Sequence, residues 1–573
     1  MQDIQTYKIL FASLTDNDFT IFNTTTFQPV VLNNFIPKQL FTNDIFTFEN
    51  AQIALVSSTI RTEHISAVLC LRGGKTYGRS ANGRVLYKCI PDDKRIPPFF
   101  VPYDIKHLGF SKVLFNQYVI IQFTDWASVF PRAIILNNIG SVNNLENFYE
   151  YQLYCKSLNA SIQKFNKDTT ISLQNTTHEE FIQHVFSENP QIEDRTSWNV
   201  FTIDPKNTTE YDDGFSYRPA DDGRHACISI YIANVAICID KLQLWESFSQ
   251  RISTIYLPHK RRPMLPSVLS ECLCSLIKSH KRIAFTMDIY IDADGNVVKT
   301  HFMNTLICVK YNFEYESHTL LSNNNYLALL DVTQQLSKKY KYINNVRNSR
   351  EMVCYLMIFM NYHCATKMCP FKTGIFRTSI LSKHEPEAEM CESVPEDIKK
   401  FIKIWSSSSS QYVDISKTDK LIAHDLLEMD SYIHITSPIR RLVDLLNMIQ
   451  FQQNEGIFQY SSMSSQFYCQ WTGEMDYINS TMKTIRKIQT QCELLDLCYT
   501  NPEILTKQYE GYLFDKISRP PHFQYFVYLP ELKLTHKISL LDDILYGGKR
   551  LFSIFLFSDE DSLKRKIKIQ IIE

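Results

Sequence analysis

The sequence predicts a multidomain α+β protein in which a mixed central unit is flanked by small antiparallel β-barrels. Three observations lead there. A chain of 573 residues exceeds what one hydrophobic core organises and points to about three or four domains. Short alternating or β-branched runs crowd both ends, whereas the middle mixes such runs with long helical spacing. A hydrophobic fraction of 44% with 13% aromatics supplies ample core material.

Residues 1–145 carry AQIALV (51–56), SAVLCLRGG (66–74), GRVLYKCI (83–90) and YVIIQF (118–123), broken by turn clusters. Strands of that length with frequent turns predict small barrels, a partial one over 1–49 and a second over 50–145. ENFYEYQLYCKSLNASIQKF then shifts to helical spacing, giving a helical connector over 146–190. The central unit, 191–504, pairs strands such as ACISIYIANVAICI and IAFTMDIYID with helices such as RRLVDLLNMIQFQQ. Its serine run at 406–410 reads as a surface loop. Residues 505–573 return to strands (EGYLFDKI, FQYFVYLP, KRLFSIFLF, KIKIQII) and predict a last barrel.

Sixty Lys and Arg nearly balance 61 Asp and Glu, so no strongly basic surface advertises a polyanion; an enclosing channel needs local basicity only. The 15 cysteines lack the paired CxxC spacing of a zinc ribbon, and Cys272 and Cys274 read as small buried thiols. The start, MQDIQTYKIL, is not of the signal-peptide type, and no apolar run reaches membrane-spanning length. The expectation is an intracellular protein, cytoplasmic or nuclear, with no membrane partner.

Three segments carry chemistry. TIDPKNTTEYDDGFS (202–216) crowds Asp204, Glu210, Asp212 and Asp213 into one turn. Such like charge wants a cation, and hard oxygen ligands suit Mg²⁺ or Mn²⁺; the alternative is a solvated acidic turn. STIYLPHKRRPMLPSVLSECLCSLIKSHKR (253–282) sets basic clusters around stiff Pro263 and Pro266, which either face solvent or line a phosphate path. YIHITSPIRRLVDLL (432–446) places Pro438 at a helix start, with Arg440 and Arg441 in the first turns, where anions are favoured. The arginines either fork onto phosphate or pair with Asp444.

In series, these blocks resemble the ribonuclease II/R (RNB) family of exoribonucleases, with its IDP…D.DDA loop, its YLP…PMLP..LS..LCSL…R.AF block and its TSPIRR helix start. NTLICVKYNFEYES (304–317) is similar to the family's RA.LTYEE stretch, and REMVCYLMIFMN more weakly to its VEEFM-type helix. DDKRIPPFFV (92–101), the 118–146 segment and LFTNDIFTFE (40–49) look like the cold-shock barrels of the eukaryotic exosome exoribonuclease branch. The resemblance implies a central RNB-type α/β catalytic domain flanked by OB-type barrels, cold-shock-like at the amino end and OB/S1-like at the carboxyl end.

It further implies processive, metal-dependent 3′→5′ hydrolysis of single-stranded RNA to nucleoside 5′-monophosphates. Mg²⁺, with Mn²⁺ as substitute, would be held by Asp204, Glu210, Asp212 and Asp213. Arg440 would steady the scissile phosphate with Arg441 beside it, Tyr315 would stack on the 3′-terminal base, and Tyr256, Arg262 and Arg282 would follow the RNA. A helicase or other RNA-decay or processing subunits are the implied partners besides RNA. The chain departs from the pattern at Glu210 (usually Asp), Tyr231 and Asn234 (His and Asp), Cys354 and Tyr355 (an acidic pair), and Leu442, Met448 and Ile449. These departures keep open a second reading, a weak or inactive homologue serving as an RNA-binding subunit.

Overall fold

The computed structural model describes all residues except 1–4, 13–17, 106–113, 128, 220–224, 344, 380–393, 408–409, 418–421, 520–521, 542, 544–547, 559–564 and 573. The first sheet is open and antiparallel, built from Thr6–Phe11, Phe19–Asn23, Pro29–Val30, Ile45–Glu49 and Gln52–Ser57. The last strand pairs with Ile45–Glu49. The first unit therefore runs past residue 49: a boundary there cuts a hairpin whose turn residues Asn50 and Ala51 both have positive φ. The second unit, Ile65–Leu69, Leu86–Pro91, Phe99–Pro102, Gln117–Asp125 and Arg132–Ser141, closes into a barrel. Phe41 from the first unit packs into that barrel's core beside Phe99 and Trp126, so the two units share a contact.

Helices Leu145–Cys155, Gln163–Ser172 and His178–Glu188 follow, the last started by a reciprocal Thr177–Glu180 capping box. The central unit is a closed five-stranded barrel of Glu193–Asp204, Asp213–Pro219, His225–Ala233, Lys281–Asp292 and Val297–Glu314. Four seams are antiparallel; the closing one, Glu193–Asp204 against Val297–Glu314, is parallel and brings Asp204 opposite Glu314. Ile228 to Ala233 are buried without alternation, because the barrel interior takes one face and packed helices the other. At the end remote from Asp204, buried Arg195 makes a bidentate pair with buried Asp288, to which the Ser229 hydroxyl also donates. The same guanidinium also pairs with Glu193 at 3.1 Å.

Helices Asn324–Lys339, Ser349–Met368, Leu442–Asn454, Ser462–Gly473 and Met475–Thr500 surround the barrel. The serine run is not simply a loop: helix Glu396–Ser407 reaches into it, and residues 408–409 lie outside the described set. Residues 268–273 form a π-helical turn; Cys274 is buried there, but Cys272 is exposed, correcting the expectation for that thiol. The carboxyl-terminal unit is an antiparallel sheet in the order Leu534–Leu540, His522–Leu529, Gln508–Arg519, Lys549–Ser558, Arg565–Ile572. Gly511 is required there, since a Cβ would stand 2.6 Å from Leu529 and 2.7 Å from Phe552. Among the described residues, no helix is long and apolar enough to cross a membrane.

Candidate active site

Where strand Glu193–Asp204 ends at Pro205, the chain turns through Asn207, at φ 64°, and returns as strand Asp213–Pro219. The turn is held from below: Tyr211 N–H donates to the Ser275 hydroxyl at 2.9 Å, and Leu276 N–H to the Tyr211 carbonyl at 3.0 Å. The PMLP…LCSL segment thus serves as the bed for the acidic loop. Above the loop lies a cavity of about 600 Å³ lined by Asp204, Glu210, Asp212, Asp213, Tyr256, Arg261, Tyr315, Ser437 and Arg440, with Lys206 at its rim.

Within it the four carboxylates are not equivalent. Asp212 is 3% exposed and spends both oxygens on the 437–441 turn, accepting from Ile439 N–H at 2.9 Å and from Arg440 Nε at 2.8 Å. Asp204 Oδ2 and both Glu210 oxygens are buried without a hydrogen-bond partner; the nearest cation to Glu210 is Arg261 Nη1 at 3.6 Å. Burial raises the Asp204 carboxyl to about 7, with nearby Asp212 adding to the rise. Burial also raises Asp213, with Asp204 and Asp212 reinforcing it, and raises Glu210 against the opposing charge of Arg261. Crowded carboxylates of this kind seek a proton or a cation.

Buried orphan oxygens on a hard-donor set are what a divalent ion such as Mg²⁺ prefers, so the residues fit one in kind. They do not close round one as placed: among the described residues no three acidic, His or Cys side chains converge to hold a metal. In the same arrangement Arg440 occupies Asp212 Oδ2 and Ile439 N–H occupies Asp212 Oδ1.

Several expected residues stand elsewhere. Arg440 lies in the turn before helix Leu442–Asn454, not in its first turns, and Arg441 is only its N-cap residue. Arg441 donates to Asp444 at 2.8 Å, the pairing alternative of the sequence reading. Arg282 is 2% exposed and donates to the carbonyls of Ser275, Lys281 and Cys272, so it is not available to RNA. Arg262 points away from the cavity onto Glu150, which also holds Lys260 at 3.1 Å. Its neighbour Arg261 faces the cavity instead, pairing with Glu210 and Glu271. Sequence reasoning missed Arg261 because adjacent strand residues face opposite ways and nothing in KRRP fixes the phase.

The departures from the family pattern also resolve. Asn234 is buried, caps helix Val235–Lys241 by accepting from Ile237 N–H, and joins an amide cluster with Asn304 and Gln452. Tyr231 is buried against the Ser216 hydroxyl at 2.9 Å. Tyr355 is buried and donates to the Tyr340 carbonyl, so its replacement of an acid takes no charge from this cavity; Val353 and Met357 are what helix Ser349–Met368 presents there. Cys354 is exposed, and Leu442, Met448 and Ile449 are fully buried.

Residues 192–353 match the RNB domain family. That segment is similar to the RNB domain. The chain is 26% identical over 430 residues to a ribonuclease R of Mycoplasmopsis pulmonis, covering 64% of this chain and 57% of that protein. It is 27% identical over 229 residues to a DIS3-like exonuclease 2 of Schizosaccharomyces pombe, covering 38% of this chain and 24% of that protein. The chain thus spans little more than half of one curated relative and about a quarter of the other. Among solved structures, Mycoplasma genitalium RNase R in complex with ribose-methylated single-stranded RNA superposes with a TM-score of 0.70 at 14% identity, covering 98% of this chain and 100% of that one. Yeast Ssd1, a pseudonuclease, superposes at 0.58 and 14% identity over 87% of this chain and 67% of that one. These two likenesses concern the fold, and through it the mixed α+β architecture of RNB domain and flanking β units.

Proposed function

We propose that this RNB-domain chain is a divalent-metal-dependent 3′→5′ exoribonuclease that shortens single-stranded RNA to nucleoside 5′-monophosphates. The observation that carries the reading is the gathering of Asp204, Glu210, Asp212, Asp213, Arg440 and Tyr315 around one cavity from three distant parts of the sequence. A bound Mg²⁺ or Mn²⁺ supplies an activated water and neutralises charge on the reacting phosphate. Asp204, Glu210 and Asp213 would hold it, joined by Asp212 when Arg440 turns from that carboxylate to the phosphate. Arg440 then steadies the charge that builds on the phosphate oxygens. Tyr315 offers an apolar face to the terminal base, and Tyr256 a second one further along the strand. Relatives such as the ribonuclease R support the reaction class.

One observation favours a second reading, an RNA-binding protein of weak or no activity within an RNA-processing or transcription assembly. Asp212 is saturated by Ile439 and Arg440, and a site locked in that state would bind RNA without cutting it. Single-stranded RNA labelled at either end separates the two. Stepwise loss from the 3′ end in Mg²⁺ or Mn²⁺, abolished by chelation, supports the nuclease; retention of intact RNA supports the binder.

A further inference from the structure

Tyr315 lies just beyond the longest barrel strand, and the residue after it carries the strain. Glu316 has φ 54°, in the left-handed region that a side-chain-bearing residue rarely adopts, and the Tyr-Glu-Ser sequence around it contains no glycine or asparagine to favour that turn. What holds it is a reciprocal clamp to the start of helix Ser349–Met368. Glu316 Oε1 accepts from the Ser349 backbone N–H at 2.8 Å and from the Ser349 hydroxyl at 2.5 Å, while Glu316 N–H donates to that hydroxyl oxygen at 3.3 Å. Ser349 is fully buried, and a carboxylate at a helix start meets the exposed N–H groups and the positive end of the helix dipole.

The clamp fixes more than itself. On one side, Tyr315 N–H donates to the Asp204 carbonyl at 3.0 Å, tying the aromatic to the acidic loop. On the other, the residue after Ser349 is Arg350, whose guanidinium packs on the Tyr315 ring 5.1 Å from its centroid. One turn further, Val353 faces the same cavity. Strained backbone persists where its surroundings over-determine it, and here they converge on one aromatic side chain.

We propose that Glu316, acting through Ser349, is a positioning residue for Tyr315 and sets the plane in which that ring meets the 3′-terminal base, with Arg350 completing the support. The inference rests on the reading above that Tyr315 receives the RNA end. A ring meant to stack must be held within about 10–20° of its working orientation, which the 315–317 turn alone does not provide.

The test uses the full chain and single-stranded RNA with 2-aminopurine at its 3′ end or at an internal position, with chelator present to suppress cleavage. In the wild type the 3′ probe is quenched on binding. Glu316→Gly removes the carboxylate while relieving the positive φ, and Ser349→Ala removes the hydroxyl while leaving the backbone bond. Both are expected to lose most of the 3′ quench, to leave the internal probe's signal unchanged, and to weaken binding at the 3′ end about five- to tenfold. Glu316→Gln, which keeps an acceptor oxygen, restores part of the quench. In metal, KM rises by more than kcat falls. A role confined to folding would lower the melting temperature without separating the two probes. Wild-type quench in both Glu316→Gly and Ser349→Ala overturns the proposal; should the glycine variant not fold, Ser349→Ala decides it alone. If the wild type shows no 3′ quench and Tyr315→Ala matches it, the reading of Tyr315 itself fails, and this proposal with it.

Discussion

Asp212 has two duties that a motif cannot separate, since it belongs to the acidic loop and also anchors Arg440 and Ile439. Asp212→Asn keeps an acceptor for Ile439 but loses the charge that balances Arg440. Hydrolysis should fall at least about 100-fold by the measure of lost preorganised charge. RNA affinity should stay within about threefold, because a freed Arg440 still meets phosphate. Filter binding beside a single-turnover assay checks both, and undiminished cleavage would remove Asp212 from the reaction. Arg440→Ala should cost about 2–4 kcal/mol of transition-state stabilisation, and Arg440→Lys should recover little of it, because an ammonium has no fork. Equal rates for the lysine variant and wild type would reduce Arg440 to a structural partner of Asp212. Glu210→Asp withdraws the carboxylate by about 1.5 Å from an Arg261 contact already at 3.6 Å. Activity should therefore fall, and Mg²⁺ should lose more than Mn²⁺, since Mg²⁺ tolerates less distortion. A gain on this substitution would mark Glu210 as a drifted position. The four acidic positions were legible because like charge in one turn has few explanations. The choice of Arg261 over Arg262 was not, because it depends on the phase of a two-residue strand.

At the scale of elements, what the sequence leaves out is how one segment grips another. The basic clusters and stiff prolines of 253–282 were readable, but not that Ile255–Tyr256 pairs with Arg261–Arg262 as a hairpin. Its anchorage was equally hidden: Glu150 on helix Leu145–Cys155 holds Arg262 and Lys260, and Tyr149 stacks on His259 while donating to Asp496. Those partners lie over a hundred residues apart in one direction and over two hundred in the other. Helix Ser349–Met368 gives an element-scale test through pH. His363 on this helix stacks on Phe359 at 4.2 Å between ring centroids, and burial lowers its imidazole to about 4. A histidine with a depressed folded pKa binds a proton more readily unfolded than folded. Its neutral form therefore supports the fold fully above about pH 6.5, and that support fades as pH falls from there towards 4. The loss reaches at most about 3 kcal/mol. Urea unfolding at pH 7 and pH 5 should show a wider stability gap for wild type than for His363→Gln; an identical gap in both would mean that the imidazole titrates normally.

For the whole molecule, the division into β-rich ends and a mixed centre was legible from periodicity alone, because strand and helix spacing differ wherever the core is one-sided. Sheet closure was less so: the first sheet stays open while the second and central ones close, and that depends on pairings between strands far apart in sequence. Equally invisible was the latch between the central unit and the carboxyl-terminal sheet. Helix Glu396–Ser407, which belongs to the central stretch of the chain, packs Ile398 and Ile402 against Tyr512 and Phe514 of that sheet. Phe401 lies parallel to Tyr528 at 3.6 Å between ring centroids, and Trp405 meets Phe514 and Phe526. An aromatic face of this kind is a helix surface that only a partner sheet can bury, and here the partner is the chain's own tail. Phe401→Ala should remove about 2 kcal/mol from that contact, less than a fully enclosed phenylalanine because Phe401 is only half-buried. Calorimetry should then resolve a separate, lower-temperature transition for the carboxyl-terminal sheet while the central barrel melts as before. A single cooperative transition at the wild-type temperature would show that the sheet is held by its other contacts and that the aromatic face does not latch the tail.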